Sequence, residues 1–248
     1  LRQDDSTQAR LSYQQALEIQ PGYSAALMAL GRLELSDSNW KSAQQYFQLI
    51  LEADKKHLAS MMGMAYIAGK QSNDKELLSW LKIAKQQQPE ALQPVTTLVR
   101  YYSQKGDLEK AKNEAHGFYL NHQKNPDAAA LYASTLRLTG EYAESEQQAR
   151  TLVSNHPNKI NYLRLLANSL RDQNKIKEAL EVSQTIINRY PELVSELLLH
   201  AELLLRNGQP EEALRQAEKL WIEHQNATSA RLLGHIHLSL QHGEEAVK

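Results

Sequence analysis

Apolar residues recur along this chain in pairs three apart: Leu27 and Leu30, Met61 and Met64, Val95 and Leu98, Leu163 and Leu166. An i, i+3 pair lies on one face of a helix, so each pair marks a stripe that has to be buried. Residues 201–220, AELLLRNGQPEEALRQAEKL, show the unit to which such stripes belong. An apolar-periodic helix runs into a turn at Asn207 and Gly208, and a second helix starts near Pro210. Proline is tolerated there because its missing N–H would have had no partner in the first turn. Ala213 and Ala217 are four apart and share a face of the second helix. Their small side chains let a neighbouring helix approach closely. The pattern predicts a helical hairpin.

The hairpin repeats. Pro21, Pro89, Pro157 and Pro191 each end a helical pattern, at separations of 68, 68 and 34 residues. Units of 34 laid out from Ser24 put the turn at Ser38, Ser72, Gly106, Gly140, Asn174 and Gly208. Five residues on stand Ala43, Leu77, Ala111, Ser145, Ala179 and Ala213; four further come Phe47, Leu81, Ala115, Ala149, Ser183 and Ala217. Three beyond those are Ile50, Ala84, Phe118, Leu152, Ile186 and Leu220. Full repeats are therefore expected at 24–57, 58–91, 92–125, 126–159, 160–193 and 194–227. Asn125-Pro126 reads as a helix cap followed by proline at the first helical position.

Residues 1–22 match only the second helix of a unit. Residues 227–240 match a first helix, and Gly243 to Lys248 begin another second helix. Leu233-Gly234 and Ala246 fit the register only if this last unit slips back by one residue. Both ends cut through a hairpin, and a terminal repeat needs a polar outer face that is not evident here. Residues 1–248 are accordingly read as a single solenoid and a segment of a longer array.

Leu30-Gly31 with Ala43 and Phe47, and Ala9, Tyr13, Ala16 and Pro21, carry the pattern of the tetratricopeptide repeat, which the chain resembles over essentially its whole length. The resemblance implies an all-α, right-handed superhelical solenoid of antiparallel helix hairpins, with first helices on the concave face and second helices on the convex face. Departures are Leu77 in a small-residue position, to be accommodated by Ala65 or Ala68, and Gln123 and Gln225 in place of the closing proline. More distantly, the chain resembles the large repeat lipoproteins of bacterial PEP-CTERM and exosortase-type surface systems. That resemblance implies the periplasm or a membrane-anchored lipoprotein rather than the cytoplasm.

Composition narrows the function classes. Lys plus Arg number 28 against 29 Asp plus Glu, a formal net charge of −1, which does not suggest a nucleic-acid partner. The absence of cysteine excludes disulfides, thiolate zinc sites and a cysteine nucleophile. No apolar run reaches the length of a membrane span, so no membrane contact is expected of this segment. No phosphate-binding loop, nucleophile elbow, dinucleotide fingerprint or H-E-x-x-H motif is present. His235 and His237 point to different helix faces, His116 and His122 lack a ligand cluster, and His242 falls in a turn. Glu211-Glu212 and Glu244-Glu245 sit at starts of second helices, where negative charge favours the free N–H groups. The tyrosines and Trp40 and Trp80 read as packing residues, with Tyr66 facing the groove. The reading is a protein without catalytic activity, cofactor or metal.

Function then rests on the surface. Ligand contacts in tetratricopeptide proteins commonly come from positions 2, 5, 9, 12 and 13 of the first helix. Mapped here, the resemblance implies Arg32, Met62, Tyr66, Lys70, Arg100, Gln104, Arg137, Arg164, Asn168, Arg171, Glu202 and Arg206. The arginines form a polar track whose forked donors suit carboxylates or other anionic groups. Arg164 and Asn168 resemble the first pair of the carboxylate clamp that holds chaperone C-terminal tails. That match stops at Leu198-Leu199, and Arg231 is isolated.

The expected function is a scaffold that binds a protein or extended peptide in its concave groove. One alternative is a structural spacer or assembly subunit of a bacterial envelope secretion or exopolysaccharide-export system. Another is regulation or glycosyl transfer by an attached domain outside the segment. Self-association through terminal hairpins is a further expectation. The register itself is testable: Ala213→Leu should destabilise the array by roughly 1–3 kcal/mol through overpacking, read from the midpoint of chemical denaturation.

Overall fold

A computed structural model describes residues 2–240. Among them are fourteen helices and no strand: α1 (Arg2–Ile19), α2 (Ser24–Ser36), α3 (Trp40–Ala53), α4 (Leu58–Lys70), α5 (Asp74–Gln87), α6 (Leu92–Gln104), α7 (Leu108–Asn121), α8 (Pro126–Leu138), α9 (Tyr142–Asn155), α10 (Ile160–Asp172), α11 (Ile176–Arg189), α12 (Val194–Arg206), α13 (Pro210–Glu223) and α14 (Ala227–Ser239). The helix expected from Gly243, with His242, Glu244, Glu245 and Ala246, lies outside the described residues. The chain divides into two compact units, Leu1–Glu114 and Ala115–Lys248, the division falling within α7. In the first unit α1 to α6 pack consecutively. In the second, α8 to α14 do the same, and in addition α10 meets α8 and α12 meets α14.

Each hairpin is closed by one backbone device. Ser38, Ser72, Gly106, Gly140, Asn174 and Gly208 are the described residues with positive φ, between 57° and 86°. A left-handed residue just past a helix end lets the next two N–H groups fold back onto carbonyls of the last turn. After α2, Ser38 N–H donates to Leu35 and Asn39 N–H to Glu34; after α12, Gly208 donates to Leu205 and Gln209 to Leu204. The same pair of bonds recurs after α4, α6, α8 and α10. Glycine supplies this conformation without a Cβ penalty, and asparagine tolerates it.

The periodic columns of the sequence are the core. Ala43, Ala111, Ser145, Ala179 and Ala213 are wholly buried, and so are Ile50, Ala84 and Ile186 further along the second helices. Leu77 packs with Ala65 and Ala68, as its size requires. Phe47 stands where other hairpins carry leucine, alanine or serine, and the first helices on both sides of it answer with glycine. A Cβ built on Gly31 would lie 2.6 Å from the Phe47 ring, and one on Gly63 would lie 2.5 Å from it.

Polar substitutions in the core come in compensating pairs. His200 takes the place that Leu30 and Leu166 hold in their helices, and it is buried. Its Nδ1 is 2.7 Å from Ser183 Oγ, and that serine donates onward to the Leu180 carbonyl. Burial pushes the His200 pKa down, against the opposing pull of Glu212. The α9 residue Glu146 is also buried. It accepts from Arg150 at 2.7 Å, from Gln173 at 2.6 Å and from Lys175 at 2.7 Å, which ties α9 to the end of α10 and the start of α11. Burial alone would raise its pKa; the donors, Lys175 foremost, outweigh that and bring it to about 2.

The Phe47 contacts set up a measurable conflict. Gly63→Ala gains about 1 kcal/mol of helix propensity and should lose about 1–3 kcal/mol to overpacking. The expected net result is a lower unfolding midpoint. Adding Phe47→Leu should restore part of the loss, a non-additivity that equilibrium denaturation of the two single variants and the double variant would resolve.

Candidate functional site

In the first unit, α4 and α6 present their outward positions to a shared cavity of about 670 Å³. Met62, Tyr66 and Lys70 come from α4, and Arg100 and Gln104 from α6. Tyr66 is 47% exposed, with Lys70 Nζ 5.4 Å from its ring centroid and the Trp40 ring edge-on behind it. Lys105 closes one side by pairing with Asp74 at 2.6 Å. That lysine holds the half-buried Asp74 carboxyl below its ordinary pKa. Arg32 lies in an adjoining cavity that shares Met62 and Thr97 with the first. Arg32 and Arg100 are exposed and form no ion pair among the described residues.

In the second unit, Arg164, Asn168, Arg171, Glu202 and Arg206 meet around a cavity of about 590 Å³ between α10, α12 and α14. Its apolar lining comes from Leu198, Leu199, Leu205 and Leu232. The polar groups are already partly engaged with one another. Arg164 Nε donates to Glu196 Oε1 at 2.7 Å, and its terminal nitrogen lies 2.6 Å from the same oxygen. Glu196 is 2% exposed, and its Oε2 accepts no hydrogen bond. Asn168 donates to the Arg164 carbonyl at 2.8 Å.

Arg171 binds Asp172 at 3.0 Å and reaches Glu202 only at 4.0 Å. Arg206 lies 3.9 Å from Glu202 and donates to Asn174 at 3.3 Å. Arg137 lines neither groove. It donates to Asp172 at 2.7 Å, a tie between α8 and α10. Burial would raise the Asp172 pKa, but the hydrogen bonds from Arg137 and Arg171 overcome it and hold the carboxyl below its usual range.

Residues 1–57 match a family model described as tetratricopeptide repeat. No curated protein matches the chain. Among solved structures, a tetratricopeptide repeat protein from Parabacteroides merdae is 16% identical, with a TM-score of 0.71 over 90% of this chain and 89% of that one. The fold is the tetratricopeptide repeat. Two further neighbours share it. PilW, a type IV pilus biogenesis factor, is 12% identical with a TM-score of 0.67, covering 86% of this chain and 97% of that one. A chain of the Cut9–Hcn1 hetero-tetramer of APC/C is 13% identical with a TM-score of 0.67, covering 93% of this chain but only 46% of that one. Tetratricopeptide repeat proteins are commonly protein-interaction scaffolds.

The tetratricopeptide register also recovers residues that a strict 34-residue count passes over. First helices begin at Ser24, Leu58, Leu92, Pro126, Ile160 and Val194, and then at Ala227, one residue early. Counted from Ala227, Thr228, Arg231 and His235 hold the positions that Ser195, Leu198 and Glu202 hold in α12, and all six line the cavity. The sequence signal for this slip is Leu233-Gly234, which aligns with Leu30-Gly31 only when α14 starts early. Leu199 and Leu232 were hidden for another reason: they lie beside the tetratricopeptide contact positions.

The histidines singled out in the sequence fall in different settings. His116 stacks on Tyr132, His122 stacks on Phe118, and His235 is exposed while His237 is buried. Among the described residues no group of three or more His, Asp or Glu could hold a metal ion, and no helix is long and apolar enough to cross a membrane.

Glu196 makes Arg164 part of the framework of this site. Arg164→Ala should cost roughly 1–3 kcal/mol of stability, because it leaves a buried carboxylate with no charged partner and only the Ser195 hydroxyl as donor. Glu196→Leu combined with Arg164→Ala should be markedly less damaging, since no buried charge is then left unpaired. Thermal melts of the two proteins would check the difference.

Proposed function

We propose that this chain is a non-catalytic scaffold that holds an extended segment of a partner protein along the exposed faces of its first helices. The observation that supports the reading is the convergence in the second unit. Equivalent positions of α10, α12 and α14 line one cavity with a mixture of apolar and polar side chains. An extended chain needs that combination, because its backbone keeps hydrogen-bonding groups to satisfy while alternate side chains seek apolar contact. The α4–α6 cavity of the first unit has a comparable mix, with Met62 and Tyr66 among Lys70, Arg100 and Gln104.

A second reading is a spacer or assembly subunit of a bacterial envelope system. Its support is the coverage of PilW, a type IV pilus biogenesis factor, by this fold. That role uses the second helices as the contact surface. A photo-crosslinking side chain separates the two readings when it is placed, one position at a time, at Tyr66 or Leu198 on first helices and at Lys82 or Lys219 on second helices. The groove reading expects partner adducts in the native cell from Tyr66 or Leu198 and none from the two lysine positions. Adducts confined to Lys82 and Lys219 would replace it with the spacer.

A further inference from the structure

Charge is unequally satisfied around the α10–α12–α14 cavity. Arg164 is held by Glu196, and Arg171 by Asp172. Arg206 donates to the neutral Asn174 at 3.3 Å, and its ion contact with Glu202 is long, at 3.9 Å. Arg231 is exposed and has no ion-pair partner among the described residues. The acidic groups are committed: Glu196 is buried under Arg164, and Glu202 stands between Arg171 and Arg206. Positive charge is therefore left over on the lining of a cavity that also holds four leucines, in a protein whose total charge is −1.

Resting on the groove reading above, we propose that the occupant of this cavity is an acidic segment of a partner protein that also carries aliphatic side chains. Its carboxylates meet Arg206 and Arg231, and an aliphatic side chain lies against Leu198, Leu199 and Leu232. A guanidinium and a carboxylate make a charge-assisted pair with two parallel donors, stronger than a neutral hydrogen bond. A basic segment would face two arginines without a close ion pair and find the half-buried Glu202 already shared. A nucleic-acid strand would find leucines where stacking aromatics are wanted.

The test uses the full chain and three fluorescent peptides of equal length. They share their leucines and carry aspartate, asparagine or lysine at the remaining positions. Fluorescence anisotropy should show saturable binding of the aspartate peptide, with the other two weaker by at least about tenfold, the loss expected for one charge-assisted hydrogen bond. Arg231→Gln should weaken the aspartate peptide by about tenfold and leave the asparagine peptide unchanged. Arg231 is exposed, so its variant should melt with the parent protein.

Equal binding of the aspartate and asparagine peptides, abolished by Leu198→Asp, would overturn the acidic assignment and keep the groove. Binding indifferent to both Arg231→Gln and Leu198→Asp would overturn the acidic assignment and this cavity as the seat of the peptide. Preference for the lysine peptide, displacement by a single-stranded oligodeoxynucleotide, or no binding of the aspartate peptide would each sink the acidic assignment. The groove itself is judged separately by the crosslinks.

Discussion

Where the second helix of a hairpin turns inward, the side chain has to be small. Ala43, Ala111, Ser145, Ala179 and Ala213 are buried without remainder, and the neighbouring helix settles where a larger side chain would have stood. Close approach between helices is what allows a thin hairpin to bury its apolar stripe at all, since the apolar face of one hairpin is covered only by the next. The exceptions obey the same constraint. Leu77 is admitted by Ala65 and Ala68, and Phe47 by two glycines from the helices on either side of it. Volume is conserved locally while identity varies, as packing near crystalline density demands.

A core built by close approach leaves the outer ends of side chains free to tie hairpin to hairpin. Glu146, Asp172 and Glu196 do so within the second unit, each through an arginine or lysine about one repeat away in sequence. These ties consume charge that would otherwise face solvent. The consequence for the groove is subtraction. Of the arginines that line or flank it, only those the framework has not engaged are available to a partner, and a charge count over the whole chain conceals them.

The architecture was largely legible in the sequence because its determinants are local and periodic. The six turn residues named by the 34-residue count are the six described residues with positive φ. The columns of small and large residues that follow them are buried. Legibility fails where one side chain answers another far along the chain. Arg137 and Arg164 read as free donors on helix faces, but Asp172 and Glu196, 35 and 32 residues away, engage them. His200, in the position that Leu30 and Leu166 hold in their helices, is matched by Ser183, 17 residues before it. Arg231 reads as isolated in the sequence, but counted from Ala227 it stands at a contact position and lines the same cavity as Arg206.

That shortened repeat shows what the hairpins hold constant. The connection from α13 to α14 has three residues, 224–226, where that from α11 to α12 has four, 190–193. Asn226 closes the shorter one by capping α14, accepting from the Thr228 and Ser229 amides at 3.0 and 3.1 Å. A residue deleted inside a helix would have rotated every later side chain by about 100° around the axis. Deleted between helices, it leaves Arg231 and His235 facing the same cavity as their counterparts in α12. Inter-hairpin connections are thus where such a chain can drift in length over evolutionary time without turning the next helix away from its partner.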